Sequence, residues 1–433
     1  MKWLCAVLLV LVACQEPNDA GPSSFDPVLS SRELWSGGEL RISEAYFRTA
    51  DPIVLLDGDT LPARRFDDTT FTFTLPRRAG TFQIRVLAGR QALSLGPVTL
   101  HGFESATYGA NMSGQPYWLP GSGAPLVMAG SDPGAAVFDL RTGTAAVTFP
   151  ESLYSPDCIW SPSPSYRTDR FIFIGKKADG TCGVPKLWTI TSPPQLIDSI
   201  SCCSYTWYTS GQPSPRRWIF NWNNHNNFYI CDTTPCGYSF FNSADGPNGV
   251  TISPRGDRFL WLPAEQPVVF DGRTLDTAYV IPGIIQPEGA FSFDGDTLAL
   301  AAIEDTAPYR KHIMLVRAAD GSVLRDLQID TLYGETDYVA TGPVAFDPVH
   351  PWLYVASFVY STIDSTYKPS LIVIDRSNWS VLGVLNTPGL TPYAYAAAAV
   401  VPSPLEHLVY VVSAADGYSV RGYKGVIYRY STP

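Results

Sequence analysis

The feature that most constrains this chain is an internal repeat. Val137-Phe138-Asp139-Leu140-Arg141-Thr142-Gly143, Val269-Phe270-Asp271-Gly272-Arg273-Thr274 and Val373-Ile374-Asp375-Arg376-Ser377-Asn378 superpose almost residue by residue. A fourth copy, Leu315-Val316-Arg317-Ala318-Ala319-Asp320, keeps the pattern but has Arg317 where the others have Asp. Each reads as a buried strand running into a tight turn and then a further strand. A second signal lies upstream: Ile252-Ser253-Pro254-Arg255-Gly256-Asp257, Phe291-Ser292-Phe293-Asp294-Gly295-Asp296 and Ala345-Phe346-Asp347-Pro348, where an inner strand turns into its neighbour. Each unit therefore offers about four strands. The units start near Tyr117, Asp157, Tyr205, Gly249, Gly289, Pro343 and Ala397. A four-stranded sheet cannot bury both faces alone, so the copies must pack on one another, and seven of them close into a ring. The fold class expected is all-β, with a seven-bladed β-propeller over residues 103–433. The ring is sealed either within the last unit or by a strand from residues 98–108 lying near 426–430, which removes an exposed edge.

The Ser253-Pro254-Arg255-Gly256-Asp257 and Val373-Ile374-Asp375 signatures resemble those of surface-layer YVTN-type and WD40-like bacterial propellers. Unit three, residues 205–241, departs most from the pattern, so counts of six or eight stay open. Residues 27–102 differ from the rest. Leu40-Arg41-Ile42, Ile53-Val54-Leu55-Leu56, Phe71-Thr72-Phe73-Thr74-Leu75 and Phe82-Gln83-Ile84-Arg85-Val86 read as strands, separated by turns at Gly37-Gly38, Asp57-Gly58-Asp59 and Ala88-Gly89-Arg90. That is a small β-sandwich. Its Ser36-Gly37-Gly38-Glu39-Leu40-Arg41-Ile42 strand and its Leu75-Pro76 and Ala79-Gly80-Thr81-Phe82 turn resemble the IPT/TIG subclass of immunoglobulin-like domains, which act as spacers or binding modules.

The first residues carry an address. Lys2 precedes an apolar run from Trp3 to Val12, far shorter than the roughly 20 residues a membrane-spanning helix needs. It reads as an export signal, 1–13, and Leu11-Val12-Ala13-Cys14 resembles the lipobox of bacterial lipoproteins. That resemblance implies cleavage before Cys14, acylation of Cys14, and a membrane partner through the lipid anchor, with residues 14–26 as a polar, Pro/Gly-rich tether. Gln15 rather than Asp at the second mature position favours the outer membrane of the cell envelope.

Of the 8 cysteines, Cys5 leaves with the signal and Cys14 is acylated; Cys158, Cys182, Cys202, Cys203, Cys231 and Cys236 remain, close together in sequence. In an oxidising compartment such a set means disulfides. The pairing expected is Cys231 with Cys236 across Asp232-Thr233-Thr234-Pro235, the other four closing two further links, with a vicinal Cys202-Cys203 bridge as one option. A zinc site would need C-x-x-C spacing, which is absent, and His225 is the only nearby His.

Composition narrows the function. Hydrophobic residues make up 45% and charged residues 16% of the 433, which excludes disorder; 13% aromatics with 35 Gly and 37 Pro favour short strands and many turns. A net charge of -10 without a Lys/Arg cluster argues against nucleic acid as a partner. The five His show no metal-ligand spacing, no G-x-S-x-G elbow occurs, and no cofactor or metal is expected. Asp294-Gly295-Asp296 and Asp57-Gly58-Asp59 lack the further acids of calcium loops and read as hairpin turns. Asp139, Asp271 and Asp375 recur at one structural position, as turn caps rather than catalysts.

One stretch suggests binding. Unit three sets Trp207, Tyr208, Trp218, Trp222 and Tyr229 around Asn221, Asn223, Asn224, His225, Asn226 and Asn227. Aromatic faces with amide donors and acceptors suit a sugar, whose rings stack and whose hydroxyls pair. The competing reading makes the aromatics blade core and the Asn run an extended turn. In a propeller, ligands usually sit where loops enter the innermost strands, here at Asn248, Glu288, Thr341 and Tyr393. Trp207, Trp222, Asn224, His225, Asn248, Glu288 and Tyr393 are thus candidate ligand residues, and none is assigned a catalytic role. The expectation is a non-enzymatic, lipid-anchored binding or scaffold protein for a protein or glycan ligand. The alternatives are a surface glycan-binding protein of a polysaccharide-uptake system, or a polysaccharide hydrolase or lyase, which would need two carboxylates in one pocket.

Overall fold

The computed structural model describes residues 25–110, 112–119, 124–131, 134–149, 163–164, 170–176, 182–191, 193–199, 207–214, 217–222, 225–231, 237–238, 247–263, 266–274, 276–332, 337–361, 366–387, 399–413 and 425–433. The chain is all-β, apart from short 3₁₀ turns among the described residues. It divides into a smaller unit, comprising residues through Arg32, Leu40–Thr74 and Thr81–Val98, and a larger one of Glu33–Glu39, Leu75–Gly80 and Thr99–Pro433.

In the smaller unit the period-2 pattern becomes buried faces. Leu40 and Ile42 alternate with exposed neighbours in Glu39–Ser43, and Phe82, Ile84 and Val86 do so in Gly80–Ala88. Phe47, Val54, Leu56 and Phe73 complete the core. Pro52–Leu56 and Asp59–Thr60 are joined by Asp57 and Gly58, both at positive φ (51° and 97°), the two-residue turn whose twist matches that of the strands.

The described strands of the larger unit form seven four-stranded antiparallel sheets. Their first strands are Ser113–Trp118, Ser163–Pro164, Trp207–Ser214, Pro247–Ile252, Ile284–Phe291, Asp337–Phe346 and Ala399–Ser403. The first six sheets are consecutive meanders. The seventh, Ala399–Ser403, Leu408–Ser413 and Gly425–Ser431, receives its fourth strand from the other end of the chain: Phe103–Ala110 pairs with Gly425–Ser431, with Thr107 opposite Ile427. Of the two ways of sealing, the chain uses the N-terminal strand.

First strands of successive sheets touch from the second sheet round to the seventh, and the seventh touches the first. The first strand of every sheet is therefore the inner one. Between the sheets lie the cores: Leu260, Leu298, Leu300 and Val316 between the fourth and fifth; Ile313, Leu353, Val355 and Ile374 between the fifth and sixth; Tyr354, Val373, Val411 and Tyr428 between the sixth and seventh; Val127, Phe138, Val401 and Tyr410 between the seventh and first.

Both sequence signals have a structural cause. At the turn from first to second strand, the buried residues Ser253, Ser292, Asp347 and Ser403 hold the hairpin from inside. Ser253 Oγ donates to Asp257 and accepts from Arg258 N; Ser292 Oγ donates to Asp294 and accepts from Thr297 N. At the turn from third to fourth strand, Asp139, Asp271 and Asp375 accept from the backbone N–H groups of Arg141, of Arg273 and Thr274, and of Ser377. They are turn caps, as their recurrence implied. In the fifth sheet Arg317 holds the register place of these acids, and Asp320 does the capping by accepting from Ser322 N.

Gly37 and Gly38, expected to open a strand of the sandwich, belong to the larger unit and lie on the backbone of Ser380–Asn386. A Cβ on Gly38 would stand 2.2 Å from Leu382 O, so only glycine permits this approach. Beside them Trp35 packs edge-on against Trp352 (5.2 Å between ring centres) within the core between the sixth and seventh sheets.

Candidate functional site

The seven inner strands share a feature that the repeat motifs do not show. Each contains a proline: Pro116, Pro164, Pro213, Pro247, Pro287, Pro343 and Pro402. The open side of an inner strand has no ladder partner, so a residue without an N–H is tolerated there, and it discourages pairing with another chain. In five of these strands the ladder slips close to the proline, between Ser113 and Tyr117, Gly211 and Ser214, Pro247 and Gly249, Ile285 and Glu288, and Thr341 and Val344. Bulges of this kind re-aim side chains at barrel rims and binding sites.

Glu288 follows such a bulge. Opposite it stands the fully buried Ala301. Glu288 is half-buried, and no hydrogen bond or ion pair joins its carboxylate to a described residue. Burial pushes its carboxyl up to about 7. Near neutral pH it is divided between a neutral form that donates a hydrogen bond and an anion that only accepts. Asn248 lies in the bulge of the preceding inner strand, and Thr251 Oγ1 of that strand donates to Gly289 O (3.0 Å), tying the two strands together.

In the third sheet, Trp207 is opposite Trp222, and Trp222 is opposite His225, so three predicted ligand residues form a row across the first, second and third strands. An antiparallel meander places the start of the first strand and the turn from second to third strand at the same end of a sheet. The row therefore stands at the end of the ring where the inner strands begin, the inlet rim. The asparagine run is not one extended turn: Asn221 ends up opposite Phe228, and Asn226 and Asn227 lie in the strand His225–Cys231. Asn224 and Tyr393 lie outside the described residues.

An aromatic pair spans the opposite end. Trp118, at the end of the first inner strand, meets Phe293, just past the end of the fifth, edge to face at 5.8 Å. The two sheets are not neighbours; the sixth and seventh stand between them. The pair thus reaches across the axis at that end.

Other predicted positions are scattered. Cys182 pairs with Lys176 and Cys231 with Trp218 in their ladders, while Cys14, Cys158, Cys202, Cys203 and Cys236 lie outside the described residues; no disulfide occurs among the described ones. Among the described residues, no three His, Cys, Asp or Glu side chains converge as metal ligands, and no helix is long and apolar enough to cross a membrane.

No family model matches the chain, and no curated protein matches it. Among solved structures it is similar to the β-propeller domain of Myceliophteria thermophila Cps50 (Swd1), with a TM-score of 0.51 and 12% identity, covering 77% of this chain and 100% of that one. At that identity the likeness speaks to fold alone, and it agrees with the ring of sheets: the larger part of this chain has a β-propeller fold.

Proposed function

We propose that this protein is a lipid-anchored recognition protein of the cell envelope, non-enzymatic, in which a seven-bladed β-propeller presents its inlet rim to a glycan or protein. The observation that carries this reading is the row Trp207, Trp222 and His225 at the rim, with Asn248 and Glu288 on the next two inner strands. Residue types that stack, in a ladder row with an imidazole and followed on the next inner strands by an amide and a carboxyl, match the alternation of apolar faces and hydroxyls on a sugar. On this reading residues 27–102 are an IPT/TIG-like immunoglobulin spacer, Cys14 carries the lipid in the outer membrane, and the six remaining cysteines form disulfides. A polysaccharide hydrolase or lyase has one observation in its favour, the raised carboxyl of Glu288, which fits a general acid; it requires a second carboxylate nearby.

A glycan array probed with the chain from Ser24 onward, with Trp222→Ala beside it, tests the recognition. Binding lost in the variant supports a glycan; binding that persists refutes the rim as its site, and a blank array turns the reading toward protein. Cys14→Ala tests the anchor, since an unacylated protein moves from the membrane to the soluble fraction.

A further inference from the structure

Away from the axis, a cavity of 400 Å³ opens between the fourth and fifth sheets at the end opposite the inlet rim, within the ~300–1,000 Å³ range of small-molecule sites. Its lining includes Arg255, Arg258 and Arg317, against the two carboxylates of Asp257 and Asp296, with Leu324 as an apolar wall. Each arginine is ion-paired with one acid: Arg255 with Asp296, Arg258 with Asp271 and Arg317 with Asp320.

The repeat shows that the fold does not require two of these arginines, Arg255 and Arg317. Arg255 is the third residue of the turn from first to second strand, where the next three sheets have Asp294, Val349 and Leu405. Arg258 opens the second strand, as Arg170 and Arg217 do in the second and third sheets, where the next three sheets have Thr297, Trp352 and Leu408. Arg317 pairs with Thr297 just as Asp139, Asp271 and Asp375 pair with Leu126, Arg258 and Trp352. Two repeat positions that carry non-basic residues in the sheets compared become arginine beside Arg258, around one cavity.

Their donors are only partly used. Arg255 Nη2 donates to Asp296 (2.6 Å), Arg317 Nη1 to Asp320 (3.2 Å), and Arg258 Nη1 to Asp257 O and Asp271 (both 2.8 Å). The Nε of Arg258 is enclosed and has no acceptor. That atom is out of a ligand's reach, whereas the Arg255 and Arg317 side chains are 50% and 52% exposed and can offer their remaining N–H groups to an oxyanion in the cavity.

We propose that this cavity binds the oxyanion group of a small molecule, a carboxylate or a phosphate, through Arg255, Arg258 and Arg317. The site is separate from the inlet rim, so its failure would leave the proposed recognition function untouched. The test titrates the full chain with glucuronate and with inorganic phosphate by calorimetry at constant ionic strength, with chloride as the control for screening. Saturable binding of either probe is expected, and which one binds identifies the source of the oxyanion. Arg317→Asp, the residue three other repeats carry, should weaken binding about tenfold or more with an unchanged unfolding midpoint. Arg255→Leu, which copies Leu405, should do the same and serves if the first variant fails to fold. No saturation with either probe, or equal affinity in a folded variant, overturns the proposal.

Discussion

Asp347 offers a quantitative test of how the hairpins of the ring are held. It is 4% exposed, and its carboxylate accepts from Val349 N (2.8 Å), His350 N (2.7 Å) and the Tyr354 hydroxyl (2.9 Å). Tyr354 is wholly buried between the sixth and seventh sheets, and burial raises its hydroxyl far above the usual phenol range, so it remains a donor at any working pH. Asp347→Ala strands two N–H groups and this hydroxyl. At ~1–3 kcal/mol for each buried group left unsatisfied, with water reaching the exposed side of the turn, the loss is about 3–5 kcal/mol. Asp347→Ser reinstates the residue of the fourth, fifth and seventh sheets, and in the fourth and fifth its hydroxyl accepts from the backbone, so it should lose only about 1–2 kcal/mol. Tyr354→Phe removes one bond for about 1 kcal/mol, and it should cost less in the Asp347→Ala background, because its partner is already gone. Thermal unfolding followed by near-ultraviolet circular dichroism reads the series, at ~2–4 °C per kcal/mol for a body of this size. Equal midpoints for the Ala and Ser variants, or strict additivity with Tyr354→Phe, would refute the argument that the carboxylate holds the hairpin by these three bonds.

Glu288→Gln should reverse a pH dependence. The folded carboxyl titrates about 7 against an unfolded value of 4.5, so the native state carries no penalty below pH 4.5, loses stability as pH rises between the two, and bears the full cost above 7. The variant should therefore be more stable than the parent by up to about 3 kcal/mol at pH 8 and equal to it at pH 4; denaturant midpoints that differ equally at both would contradict the buried carboxylate. Gly38→Ala drives a methyl into Leu382 O and should cost about 2–3 kcal/mol, whereas Gly58→Ala meets open space and suffers only the positive φ, about 1 kcal/mol; equal melting shifts would show that the close approach is not needed. Thr107→Pro breaks the sealing strand opposite Ile427 and should cost about 3 kcal/mol and leave an edge for pairing between chains, read as oligomers by light scattering; a monomer of unchanged stability would count against the seal.

The parts of this fold that are legible in the sequence are those set by neighbours along the chain. Alternation in Glu39–Ser43 and Gly80–Ala88, the double positive φ of Asp57-Gly58, and the capping acids Asp139, Asp271 and Asp375 each follow from a few adjacent residues, and each stands where the pattern places it. Features that depend on closure were harder to see. Gly37 and Gly38 resemble a strand opening, yet their constraint is the backbone of Ser380–Asn386, some 350 residues away along the chain. The choice of sealing strand is settled by the pairing of Phe103–Ala110 with Gly425–Ser431, a contact between the two ends of the ring. The proline in every inner strand was visible in the letters, but it carried meaning only once those strands were known to have an open side. The same holds for Arg255 and Arg317: each looks like ordinary drift within its own repeat, and only the packing of the fourth sheet on the fifth brings the two departures to one cavity. In a repeat protein the shared residues describe the scaffold, and the positions where one copy breaks the rule, once mapped onto neighbouring sheets, are where a binding site should be sought.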